Sequence, residues 1–145
     1  MKWLALLACS ILASCSITRE VQSIDSSLSI GSVALEHNTE VHMAGLHPEI
    51  VSQLEVMGLQ VTEFTGTPPA DADCVLRYTA NWGWDLAMYL TFFRIDAFKN
   101  ETRLGSAQYD ARFGGLHMGK FGATAEKLRP LLQELFGRPV TPVER

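Results

Sequence analysis

Residues Asp73 to Trp84 alternate without a break. Cys74, Leu76, Tyr78, Ala80, Trp82 and Trp84 fall on one side, and Asp73, Arg77, Thr79 and Asn81 on the other. Period two over that length marks a half-buried antiparallel strand, one face on a core and one in water. Met88 to Phe98 follows within hairpin distance. Its middle, Leu90, Phe92, Phe93 and Ile95, is apolar on both faces, which predicts a central strand with a bulge near Phe92 and Phe93. Asn100-Glu101 turns the chain. Leu104 to Phe113 then alternates again, with Ala107, Tyr109, Ala111 and Phe113 opposite Ser106, Gln108, Asp110 and Arg112.

A meander of this kind needs helices to cover its apolar face, and the flanks supply them. Pro48 to Met57 reads as a helix: Pro48 suits the first turn, Ile50, Leu54 and Met57 share a face, and Gly58 stands where a helix stops. Leu128, Leu131, Leu132 and Leu135 line a C-terminal helix that Gly137 ends, with Pro130 in its first turns or kinking it. Ile30–Glu36 and Leu59–Thr65 read as strands, with a polar loop from His37 to Gly45 between the first of them and the helix. The expected fold is α+β, in the order β-α-β-β-β-β-α. It has a single mixed, mostly antiparallel sheet of about five strands with both helices on one face.

At 145 residues, 47% hydrophobic and 19% charged, the chain has the makings of one globular domain and no biased tract. A net charge of −4 argues against non-specific nucleic-acid binding, which needs a basic face. The expected divisions are a signal peptide over 1–14, an anchor and flexible Ser-rich tether over 15–27, a domain over 28–137 and a loose tail over 138–145.

The N-terminus carries an address. Lys2 precedes an apolar run, Trp3 to Leu12, which is short of the roughly 20 residues needed to span a bilayer. Leu12-Ala13-Ser14-Cys15 closes it and resembles the lipobox of bacterial lipoproteins. That resemblance implies cleavage before Cys15 and acyl chains on it, two or more of which make attachment lasting. Ser16, where Asp would imply inner-membrane retention, implies the outer membrane, with the periplasmic side expected. Cys9 leaves with the signal and Cys15 becomes the anchor. Cys74 is left as the sole free thiol, on the apolar face of its strand, and a core role is expected for it.

Motifs for chemistry are weak. Gly114 to Lys120 has the spacing of a phosphate loop, but Phe121 stands where Ser or Thr would hold magnesium, so no nucleotide is expected. His37, His42 and His47 recur every five residues near Glu36, Glu40 and Glu49, a spacing that aligns on neither a helix nor a strand face. They and the isolated His117 are expected to be solvated, with no metal. No catalytic residue and no cofactor are expected. Trp82, Trp84 and Asp85, at the hairpin tip, are the candidate interaction surface, since aromatics at a tip are favoured contact anchors. Trp82 is the better core candidate and Trp84 the better contact.

Val56-Met57-Gly58-Leu59-Gln60-Val61, Ala72-Asp73-Cys74-Val75-Leu76-Arg77-Tyr78 and Trp82-Gly83-Trp84-Asp85, with the lipobox, resemble the Sbal-type family of small proteobacterial lipoproteins. The resemblance covers most of 28–137 and implies no catalytic residue. The expected function is therefore a non-enzymatic lipoprotein, a protein-interaction or structural module at the outer membrane with an envelope protein as partner. The alternative is a periplasmic module binding a small molecule or lipid, lined by Trp82, Trp84, Tyr89 and Phe93.

Overall fold

The computed structural model describes residues 16–138. The signal-like segment, Cys15 and the tail from 139 onward lie outside the described residues. In chain order the elements are β1 (Thr18–Gln22), β2 (Ser32–Glu36), α1 (Leu46–Val56), β3 (Gln60–Phe64), β4 (Cys74–Asp85), β5 (Ala87–Lys99), β6 (Thr102–Asp110) and α2 (Thr124–Leu135). A 3-10 turn at Met118–Phe121 precedes α2. The fold is α+β, with one six-stranded sheet in the order β1-β6-β5-β4-β2-β3. β2 runs parallel to both β3 and β4, and the other pairings are antiparallel.

The helices and one sheet face enclose the core. Leu35, Leu76, Phe93 and Ile95 from the sheet meet Ile50 and Leu54 of α1 and Leu128 and Leu132 of α2, all fully buried. The opposite face is polar, and Arg94 there bridges Asp96 at 2.8 Å and Gln108 at 3.2 Å. α2 accommodates Pro130 in its second turn.

The sixth strand is the departure from expectation. Thr18–Gln22, within the stretch read as a tether, pairs with β6 from Thr18↔Asp110 to Gln22↔Ser106. An edge strand is held by backbone hydrogen bonds on one side, and this one packs only Val21 against the core, so its sequence shows almost no apolar period. The residues after it are fixed too. Ile24 is buried and donates its amide to the Leu135 carbonyl at 2.8 Å, and the Ser23 hydroxyl donates to the Glu134 carbonyl at 2.8 Å. The first satisfies a carbonyl that the end of α2 leaves without a helical partner, and the second adds to the bond that Gly137 makes to Glu134.

The bulge lies one residue from where it is expected. Asn81 pairs with Phe92 and Trp82 with Leu90, leaving Thr91 unopposed, and the Thr91 hydroxyl donates to the Asn81 carbonyl. This single-residue insertion lets both Leu90 and Phe93 face the core. Beyond it the β4–β5 hairpin runs on alone: β6 leaves β5 at Phe92, and β2 leaves β4 at Leu76.

Candidate functional site

On the projecting hairpin, Trp84 keeps the pleat face that Leu76 and Tyr78 use for the core, yet no helix reaches it. Trp82 is partly buried against the core, while Trp84 is 72% exposed and pairs across the hairpin with Met88. Leu86 forms the turn at φ 63° and is 91% exposed. Gly83 leaves room for the Thr91 side chain, because a Cβ there would come within 2.8 Å of Thr91 Cγ2.

Asp85 serves as a brace more than as a free surface charge. Lys120, almost fully buried, donates to Asp85 Oδ2 at 2.6 Å and to the Gly115 carbonyl at 2.6 Å. Its ammonium also lies 5.1 Å and 5.0 Å from the ring centroids of Tyr89 and Phe121. A buried ammonium needs such partners. Lys120 thus ties the Gly114–Gly119 segment to the hairpin tip, and this lysine of the phosphate-loop spacing points inward at a carboxylate. Phe113, Leu116 and Met118, along this connection, are exposed, as are Trp84, Leu86 and Met88 on the hairpin to which Lys120 ties it.

The chain enters at this apolar end. The Ser16 amide donates to the Phe113 carbonyl at 3.1 Å, and Ile17 lies against Gly114 and Gly119. Sequence reasoning missed this convergence, because the residues come from the N-terminus, the hairpin tip and the β6–α2 connection. The four residues of the ligand-lining alternative do not form one wall. Phe93 is in the core, Trp84 faces outward, and Tyr89 packs edge-on against Phe121 at 5.5 Å.

The histidines depart from the solvated reading at one position. His47 is not in the loop but in the first turn of α1, and it is buried. Its Nε2 is 2.8 Å from Glu63 Oε2, its Nδ1 is 2.9 Å from the Tyr78 hydroxyl, and its ring centroid is 4.4 Å from that of His37. His37, His47 and Glu63 each offer a ligand atom, all within 4.8 Å of one another. His42 stays exposed in the loop, and Glu36 is engaged by Arg77 at 2.7 Å. Glu63 carried no sequence signal, since β3 reaches the histidines only through the parallel pairing with β2.

Cys74 is fully buried, and desolvation, then the Asp73 carboxylate, pushes its thiol up to about 12. A thiol so disposed is inert as a nucleophile. Among the described residues no helix is long and apolar enough to cross a membrane.

No protein-family model matches the chain, and no curated protein matches it. Among solved structures it is similar to the PelC dodecamer from Paraburkholderia phytofirmans at 17% identity, and to a variant of that dodecamer at 20%. Both superpositions have a TM-score of 0.51 and cover 80% of this chain and 97% of the PelC chain. At this identity the likeness speaks for the fold, which the chain shares with PelC.

Proposed function

We propose that this chain is a non-enzymatic lipoprotein of the bacterial envelope, anchored by acyl chains on Cys15 at the periplasmic side of the outer membrane. It serves there as a structural or protein-interaction module, of the kind the Sbal-type resemblance implies. The observation that carries the reading is the place of Ser16. The residue next to Cys15 donates its amide to the carbonyl of Phe113, itself an exposed aromatic, at the start of the connection that Lys120 ties to the hairpin tip. With β1 beginning at Thr18, little chain is free to hold the domain away from its anchor. The apolar end therefore rests at the bilayer surface, where an indole's apolar body and polar N–H favour the interface. Self-association is the partner class favoured by the likeness to PelC, whose two matching structures are dodecamers.

The test is metabolic labelling with a fatty-acid analogue, followed by separation of inner and outer membranes. The wild type should carry label and sediment with the outer membrane, and Cys15→Ala should do neither. Equal labelling of both proteins would contradict the anchor.

A further inference from the structure

The geometry points to a divalent transition-metal site formed by His37, His47 and Glu63, with zinc as the fitting ion and one coordination position left open. β2, α1 and β3 form a parallel β-α-β unit, and the three side chains come from the end of β2, the start of α1 and the end of β3. That is the carboxyl end of parallel strands, where such units bind ligands. The placement of His37 is fixed by the backbone, since its amide donates to the Phe64 carbonyl at 2.9 Å, one residue from Glu63.

Two imidazoles and one carboxylate make a donor set suited to zinc, and three protein ligands plus water is its open arrangement. Tetrahedral ligands around zinc stand about 3.3 Å apart, given metal–ligand bonds of about 2.0 Å. The ligand atoms here lie within 4.8 Å of one another, and His37 and Glu63 are exposed and free to close the difference. The buried His47 supplies the fixed point. A carboxylate only accepts, so in the neutral ring Nε2–H donates to Glu63, which leaves Nδ1 to accept from the Tyr78 hydroxyl. With metal on Nε2 the proton moves to Nδ1, which then donates to the same hydroxyl. A tyrosine oxygen takes either role, so the change of tautomer keeps the bond to Tyr78, and metal ligation by both side chains replaces the bond between His47 and Glu63. Tyr78 is thus a positioning residue that orients the ligating ring. The positive end of α1 opposes a cation at His47, and the Glu63 carboxylate offsets it. A groove of about 430 Å³ opens beside His37, between Glu40, Thr65 and Tyr78.

The test is calorimetric titration of the full chain, purified from membranes in detergent, with zinc alone. One saturable ion per chain is expected. His37→Ala and Glu63→Gln, both exposed positions whose folding circular dichroism can check, should each weaken binding at least about tenfold, and Tyr78→Phe should weaken it while keeping the stoichiometry. His42→Ala should bind as the wild type does. Cobalt in place of zinc should give the strong visible absorption of a tetrahedral site in the wild type and lose it in His37→Ala. No saturable zinc binding, or affinity unchanged in both His37→Ala and Glu63→Gln, would overturn the site.

Discussion

Cys74 and Trp84 stand on one face of β4 and have opposite fates. Cys74 is fully buried in the hydrophobic core, and Trp84 is exposed on the projecting hairpin. In a chain carrying Cys15→Ala, Cys74 should resist a thiol reagent when native and react on unfolding. Cys74→Ser should cost about 1–3 kcal/mol, because its hydroxyl would be buried without a partner. The raised thiol value also fixes a pH dependence. The unfolded thiol ionises near 9.0 and the folded one near 12, so above about pH 9 protons leave the unfolded state first. This contribution to stability is intact below that pH and is lost progressively as pH climbs toward 12. Urea melts at pH 8 and 10.5 should show the loss in wild type, and a smaller one in Cys74→Ala. At the other end of the strand, Trp84→Ala should change stability by less than about 1 kcal/mol, and Trp82→Ala should cost about 2–3 kcal/mol, since only Trp82 leaves a cavity in the core. The contrast between the two tryptophans is legible in the sequence, because Trp82 sits further into the alternating run. The pairing of His47 with Glu63 is not, since it needs the register of two parallel strands.

The elements divide along the same line. β4, β5 and β6 announce themselves because each buries alternate residues. α1 is visible from Ile50 onward, but its start at Leu46 is capped by Gly45 with no side-chain bond, so nothing in the residues marks it. Pro48, expected in the first turn, lies there as the third helical residue, where its missing amide has no helical partner to lose. β1 is invisible for a different reason: it is held by backbone pairing and by the bonds of Ser23 and Ile24 to the end of α2. Gly105 of β6 is the point of close approach. A Cβ there would come within 2.6 Å of the Gln22 carbonyl and 3.0 Å of Leu135. Gly105→Ala should therefore push β1 from the sheet edge and cost about 1–3 kcal/mol. Hydrogen exchange should speed at the amides of residues 18–24 and stay unchanged in β4. Protection unaltered in residues 18–24 would mean that the strand end is not held as described.

At the scale of the molecule, the sheet order places the N-terminal strand at one edge and the projecting hairpin near the middle, and the Lys120–Asp85 brace joins the β6–α2 connection to the hairpin tip. That connection carries the exposed Phe113, Leu116 and Met118, and the Phe113 carbonyl accepts from the amide of Ser16. In the proposed anchoring, this end meets the bilayer. The most direct measurement is tryptophan quenching in lipidated protein reconstituted into vesicles. A Trp82→Phe background leaves Trp84 as the sole reporter once the signal segment with Trp3 is removed. Lipids brominated near the headgroup should quench Trp84 strongly, and aqueous iodide should quench it weakly, as for an indole at the interface. Strong iodide quenching with no effect of brominated lipid would place Trp84 in water, away from the bilayer.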